Sequence, residues 1–304
     1  CAISGMDRAF FSNSGTEAME AALKAVRAYG RARGGKVRVV ALLNSFHGRT
    51  FGALAVTGQP KLREAFEPFG GEVTFVEPND DAALGRAVGE DTAAVVLEPV
   101  LGEGGIYPLD VRFLQRAREL TTDSGALLVA DETQCGLGRT GKHFAFQWAE
   151  IRPDVVVTAK PLAAGLPIGA TLFTESAARH LPLHAHGSTF GGGPLACRVA
   201  LEFLSLVDDL LPHIREIGAE LRRGLDELQR RHPAITEIRS KGMMFGIQLS
   251  RPGQSIVLAA LQRGLLLNCT HDTVIRLLPP FILTSAQAQE AVRILDEVLQ
   301  DCAN

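Results

Sequence analysis

Two apolar runs near the middle of the chain each end in a residue able to do chemistry. Residues 126–130 read as a buried strand running out at Asp131-Glu132-Thr133-Gln134, and residues 154–158 as a second, leading into Ala159-Lys160. Runs without polar alternation suit strands covered on both faces of a parallel sheet, and open sheets of that kind bind ligands beside the C-terminal strand ends. A carboxylate and an amine delivered there by two strands are candidates for one site. Elsewhere a lysine reads as a solvated loop residue, since its unperturbed pKa of about 10.4 keeps it an exposed ammonium. The strand-end position is what argues for a role.

An amine and a carboxylate so placed suit pyridoxal phosphate. The amine forms a Schiff base with the cofactor aldehyde, and the carboxylate holds the pyridine nitrogen protonated, which strengthens the ring as an electron sink. Other residues fit around such a group. Ser14-Gly15-Thr16 opens a helix whose apolar positions Met19, Ala22, Leu23 and Val26 follow helical spacing. Free amides, the helix dipole, a glycine and a threonine hydroxyl together make an anion site, although Ser14 and Glu17 also fit a capping box. Phe46 and His47 follow the next strand, where an aromatic ring can stack on a flat cofactor or simply plug core. Ser188 and Thr189 bring hydroxyls from the glycine-rich stretch 186–194.

The elements that must carry these residues alternate. Strands are expected at 9–11, 37–43, 72–77, 93–98, 126–130, 154–158 and within 165–174, with helices from 14, 80–88 and 110–123 between them. That order predicts an α/β fold with a mostly parallel central sheet flanked by helices. Pro194 suits the first turn of a helix to about Val207. Beyond Leu211 a long amphipathic helix to Arg231, strands at 235–240, 243–249 and 273–278, and helices near 256–263 and from Ser285 read as a smaller α+β domain. The expected division is 1–193 and 194–304, the connecting helix going with the second. Arg276 sits on an apolar strand there; a buried guanidinium fork suits a carboxylate. Glu103, in the flexible stretch Gly102-Glu103-Gly104-Gly105, is either solvated or faces a cation.

A net charge of -3, from 31 basic and 34 acidic residues, gives no footprint for nucleic acid. Five scattered cysteines form neither a metal spacing nor a disulfide framework, which points to a reducing, cytoplasmic setting and no metal. No apolar run is long enough to span a bilayer, so no membrane partner is expected. Residues 136–143 nearly match a nucleotide-binding phosphate loop. However, His143 stands where a magnesium-binding hydroxyl is needed, and residues 131–135 separate the stretch from its strand.

Phe10-Phe11-Ser12-Asn13-Ser14-Gly15-Thr16-Glu17-Ala18, Phe46-His47-Gly48-Arg49-Thr50, Thr57-Gly58-Gln59-Pro60 and Ile275-Arg276 occur in this order along essentially the whole chain. Taken with Asp131 and Lys160, they resemble the class III, ornithine-type aminotransferases of pyridoxal-phosphate fold type I, the acetylornithine group above all. The resemblance implies that Lys160 is the Schiff-base lysine, Asp131 the partner of the pyridine nitrogen, and Gln134 a partner of the cofactor phenolic oxygen. Gly15 and Thr16 would hold the phosphate and Phe46 would stack on the ring. Ser188 and Thr189 would reach the neighbouring subunit's phosphate in a homodimer with shared active sites. Arg276 would clamp the α-carboxylate of glutamate with Glu103 as its switchable counter-ion, and Arg49 would meet a second carboxylate.

The implied reaction is ping-pong transfer of an amine from N-acetylornithine to 2-oxoglutarate, in arginine biosynthesis. Succinylornithine, ornithine, 4-aminobutyrate or a carrier-linked amino acid stay open as donors, as does a non-catalytic cofactor-binding relative. Pro161, Leu101, Thr133 and Gly193 depart from the family pattern. Because family members carry a leading segment, the start at Cys1, close to a strand, is expected to reflect a segment missing in front.

Overall fold

The valine-rich runs form the middle of a seven-stranded sheet in the computed structural model, which describes residues 1–302. Strands along the chain are β1 (Arg8–Ser12), β2 (Arg38–Leu42), β3 (Val73–Val76), β4 (Thr92–Leu97), β5 (Val100–Leu101), β6 (Tyr107–Pro108), β7 (Leu127–Asp131), β8 (Val155–Thr158), β9 (Gly169–Phe173), β10 (Ile235–Lys241), β11 (Met244–Leu249), β12 (Asn268–Thr270) and β13 (Val274–Leu277). The large sheet runs β1-β9-β8-β7-β4-β2-β3; β9 is antiparallel to both its neighbours and the other pairings are parallel. Every residue of β4, β7, β8 and β9 is buried, as their lack of polar alternation requires. Since β1 and β8 both run opposite to β9, the C-terminal ends of β1, β2, β4, β7 and β8 share one end of the sheet.

Helices are α1 (Gly15–Ala32), α2 (Phe51–Ala55), α3 (Pro60–Arg63), α4 (Asp81–Ala87), α5 (Val111–Ser124), α6 (Glu175–Ala178), α7 (Pro194–Arg231), α8 (Gln254–Gln262) and α9 (Ser285–Asp301). Met19, Ala22, Leu23 and Val26 of α1 are buried against the sheet, as their spacing predicts. α7 corrects the sequence reading. The helix expected to end near Val207 and the one expected beyond Leu211 are a single 38-residue helix that continues through Pro212. A proline removes one main-chain donor, but the apolar stripe continues on both sides of it, with Val207, Ile214, Ile217 and Leu221 buried.

The chain divides into two compact units. The first comprises Cys1–Pro99, Leu109–Leu137 and Lys142–Val207; the second, Val100–Pro108, Gly138–Gly141 and Asp208–Asn304. The second is built on an antiparallel sheet ordered β10-β11-β13-β12, one face of which packs Ile238, Ile247 and Ile275 against apolar residues of α7, α8 and α9. No helix among the described residues is long and apolar enough to cross a membrane.

Candidate active site

Within the first unit, the shared strand ends collect most of the residues that the sequence singles out. Asp131 is the last residue of β7 and is almost fully buried. Its two carboxylate oxygens are held separately: Oδ1 accepts from the Thr133 amide at 3.0 Å, and Oδ2 lies 2.8 Å from Nδ1 of His47. Beyond β8 the ladder to β7 continues, with the Glu132 amide donating to the Val157 carbonyl at 2.7 Å and the Lys160 amide to the Thr133 carbonyl at 3.3 Å. These bonds fix the Lys160 backbone beside the loop that carries Asp131, while the lysine itself is exposed.

Gly15 closes the same corner. A Cβ on it would come 2.7 Å from Thr133 Cγ2 and 3.5 Å from the Ala159 Cβ, so the first turn of α1 packs directly on the loops after β7 and β8. Ser14 caps α1, its hydroxyl accepting from the Glu17 amide at 3.3 Å. Glu17 does not complete the expected capping box: its carboxylate takes the amide and side chain of Asn13, one residue earlier. The first amides of α1 have no intrahelical acceptor and, with the helix dipole, are the groups that would face an anion at Ser14-Gly15-Thr16. Thr16 Oγ1 lies 3.0 Å from Thr50 Oγ1 and accepts from the Arg49 amide at 3.3 Å, tying that end to the loop after β2.

Phe46 is half-buried on this loop, and Arg49 lies over its ring at 5.7 Å. His47 differs from the expectation of a ring contact: its side chain is fully buried, its amide donates to Thr57 Oγ1 at 3.0 Å, and its ring meets Asp131. Burial pushes the imidazole pKa down, but the hydrogen bond and charge of Asp131, with the charge of Glu98, more than offset this and raise it. Gln134 is buried on the Asp131 loop. Ser188 Oγ accepts from Asn13 Nδ2 and from the Gly191 amide, each at 3.1 Å; Thr189 is exposed next to it.

Three carboxylates at this end of the sheet escaped the sequence reading. Glu98, just after β4, accepts from the Phe46 amide at 2.8 Å and so sets the phenyl ring. Glu20 Oε1 accepts from the Gly52 amide at 2.9 Å and the Ala53 amide at 3.1 Å, capping α2 from a distance. Glu132 is wholly buried and accepts from the amides of Ala145 at 2.9 Å and Phe146 at 2.8 Å. Burial raises its pKa to about 7 despite these bonds. Only the acceptor-rich Asp-Glu pair hinted at Glu132; contacts this distant in sequence leave no local signal. Lys142, from the phosphate-loop look-alike, donates to the Gln147 carbonyl at 3.0 Å and lies 4.5 Å over the Trp148 ring, which accounts for it structurally.

Within the second unit, Arg276 on β13 is half-buried. Its Nη1 lies 2.7 Å from Glu103 Oε1 and donates to the Gly102 carbonyl at 3.2 Å, while Nε donates to Asn268 Oδ1 at 3.1 Å. A guanidinium with one partly exposed carboxylate partner can exchange that partner for another carboxylate.

The corner formed by Asp131, Gly15 and Lys160 fits a phosphorylated pyridine. A buried, oriented carboxylate suits a protonated ring nitrogen, a helix start suits a dianion, and Thr133 Oγ1 and Thr158 Oγ1 are buried with no hydrogen-bond partner among the described residues. The comparisons agree. The family model Aminotransferase class-III matches residues 1–299. Acetylornithine aminotransferase of Aquifex aeolicus is 41% identical over 293 residues, covering 96% of this chain and 77% of that protein. Acetylornithine aminotransferase 1 of Bordetella pertussis is 46% identical over 299 residues, covering 96% of this chain and 76% of the relative. The crystal structure of ornithine aminotransferase from Toxoplasma gondii ME49 superposes with a TM-score of 0.95 at 31% identity, covering 99% of this chain and 75% of that one. The chain therefore belongs to the class III aminotransferases, pyridoxal-phosphate-dependent transaminases of fold type I.

Proposed function

We propose that this transaminase moves the terminal amine of N-acetylornithine to 2-oxoglutarate, giving N-acetylglutamate 5-semialdehyde and glutamate in arginine biosynthesis. The observation that carries the reading is the 2.7 Å Arg276–Glu103 pair. The reacting carbon of the amine donor bears no carboxylate, whereas that of 2-oxoglutarate bears one. A cation that is neutralised by Glu103 for the first substrate and released for the second serves both. The names of the Aquifex and Bordetella relatives support the choice of donor.

When bound, pyridoxal phosphate supplies an aldehyde carbon for amine exchange and a ring that draws electrons from the reacting carbon. Asp131, oriented by His47 and Thr133, would keep the ring nitrogen protonated. Gly15, Thr16 and Ser14 would hold the phosphate at the start of α1, Phe46 would cover the ring, and Gln134 would meet the phenolic oxygen. Lys160 Nζ would hold the cofactor aldehyde carbon and, once freed, would serve as the base that moves the proton at the reacting carbon. Arg49 meets the second carboxylate of the substrate.

The proposed division keeps the cofactor residues within 1–193 and Arg276 within 194–304; the compact units depart from it at 100–108, 138–141 and 194–207. The partner is a second copy of the chain, with Ser188 and Thr189 serving the neighbouring site. Phe190 at 79% exposure, Leu195 at 70% and Leu201 at 64% give that edge an apolar surface suited to pairing. The protein works in the cytoplasm on amino and oxo acids.

The test is the visible spectrum of protein mixed with pyridoxal phosphate, before and after N-acetylornithine, beside a Lys160→Ala variant. A band that needs Lys160 and bleaches with N-acetylornithine supports the reading. A band that bleaches only with ornithine or 4-aminobutyrate reassigns the donor, and a band indifferent to every amine makes the chain a cofactor binder.

A further inference from the structure

The Arg276–Glu103 pair is one end of a longer arrangement in the second unit. Arg239 of β10, Gly246 of β11 and Arg276 of β13 stand opposite one another in a single cross-strand row, which Asn268 of β12 extends. The adjacent row, Ile238, Ile247 and Ile275, faces the apolar core. Alternation therefore turns the arginine row to the opposite face of the sheet.

On that face lies the loop of residues 102–106, which joins β5 to β6. It is gripped at two points. Arg276 holds the Gly102 carbonyl and the Glu103 side chain. Arg239 holds the Gly105 carbonyl with two donors at once, Nε at 3.2 Å and Nη2 at 3.1 Å. Gly246, between the arginines, makes the approach possible: a Cβ there would stand 2.6 Å from the Gly105 carbonyl oxygen.

The two guanidinium groups differ in what they hold. Arg276 takes a loop carboxylate that can leave. Arg239 takes main chain of the loop and lies 5.9 Å over the Tyr107 ring of β6; its own carboxylate partner, Glu237, is on its own strand, and Gln248 Oε1 accepts from it at 3.2 Å. Gln248 is in turn fixed by donating to Thr273 Oγ1 at 2.8 Å. The side chain of Arg239 is only 12% exposed, so its bonds to Gly105 and Gln248 are not loose surface pairings, whereas Glu237 is exposed.

We propose that Arg239 is a positioning residue for the Arg276–Glu103 exchange: it anchors the 102–106 loop by the Gly105 carbonyl, so that Glu103 alone swings when a substrate carboxylate takes Arg276. The proposal rests on reading Arg276 as a carboxylate clamp. Glu103 is followed by two glycines, and without the anchor the segment would gain conformational freedom each time Glu103 let go. That gain favours the released state. Arg276 would then more often face the terminal amine without its counter-ion, a like-charge encounter that weakens binding of the amine but not of the oxo acid.

The experiment uses the full chain loaded with pyridoxal phosphate. Apparent Kd values for N-acetylornithine and for 2-oxoglutarate are measured in separate half-reactions for native protein, Arg239→Gln, Arg239→Lys and Arg276→Gln. The ratio of the amine Kd to the oxo-acid Kd should rise about tenfold in Arg239→Gln. It should rise less in Arg239→Lys, which keeps a donor for the Gly105 carbonyl. Amide exchange across 102–106 should be unchanged by 2-oxoglutarate in native protein and should increase with it in Arg239→Gln. Equal loss for both substrates, or loop exchange that rises with 2-oxoglutarate in the native protein, overturns the anchor. Arg276→Gln separates the two readings. If it weakens 2-oxoglutarate while Arg239→Gln leaves the ratio unchanged, only the anchor falls; if it leaves 2-oxoglutarate unaffected, the clamp falls and the anchor with it.

Discussion

Nδ1 of His47 stands 2.8 Å from Oδ2 of Asp131, with both side chains shut away from water. The carboxylate is thus backed by a titratable group whose pKa is raised above its ordinary value by Asp131 and Glu98 against the effect of burial. A raised folded-state value means that the stabilisation is complete below the unfolded pKa of about 6.5 and is lost as pH climbs through the folded value. The stability of native protein relative to His47→Gln should therefore be greatest near pH 6 and shrink toward alkaline pH. Urea-unfolding midpoints of the two proteins across that range check this, and a difference that grows with pH would sink it.

Glu132 carries the same sign, which is unusual for a carboxyl group. Its pKa is raised to about 7, chiefly by burial, so between about 4.5 and 7 the folded chain keeps a proton that the unfolded chain gives up. Folding then weakens as pH rises through this window, and the cost is constant above it. Glu132→Gln should be the less pH-sensitive protein, with native protein losing a few kcal/mol relative to it between pH 4.5 and 7. Parallel denaturation curves at five or six pH values, with no change in the difference, would refute the assignment.

Gly15→Ala places a methyl 2.7 Å from Thr133 Cγ2. Relieving that contact costs roughly 1–3 kcal/mol and displaces the first turn of α1, so pyridoxal phosphate should bind about tenfold more weakly. Adding Thr133→Ala removes the clashing methyl and should recover part of both losses. Cofactor titration of the single and double variants decides it, and absence of recovery would mean that the clash is not the cause.

Gly246→Ala drives a methyl to 2.6 Å from the Gly105 carbonyl oxygen. The 102–106 loop should lift from the sheet and the Arg276–Glu103 contact lengthen. Selectivity should move in the same direction as in Arg239→Gln, toward substrates that carry a carboxylate on the reacting carbon. Competition between glutamate and N-acetylornithine as amine donors measures this. An unchanged preference in a folded variant would show that the loop's seat does not matter to the choice.

Asp131 and Lys160 were legible because each ends an unbroken apolar strand, and a polar residue there has few structural explanations. Arg276 was legible for the same reason, as a lone guanidinium on an apolar strand. Arg239 was not, although it is less than forty residues away. On β10 it follows Ile238 in an ordinary alternation, and its meaning lies in the register that sets it opposite Gly246 and Arg276. His47 was placed at the correct strand end without its contact to Asp131, since nothing local states whether an imidazole meets a carboxylate distant in sequence. The sequence was read as two helices, one to about Val207 and one beyond Leu211, whereas the continuous buried stripe that carries a single helix past Pro212 is a property of packing.

The hairpin of β5 and β6 belongs to the second unit although nearly a hundred residues separate it from the remainder of that unit, apart from the short stretch Gly138–Gly141. During synthesis those segments emerge long before the strands on which they settle. Buried Ile106 and the Gly105 carbonyl must wait for β10, β11 and β13, so this part of the fold closes only when almost the whole chain is present. A nascent or proteolytically shortened chain ending at Val207 would leave that hairpin stranded, and no single backbone cut divides the protein into two self-sufficient pieces.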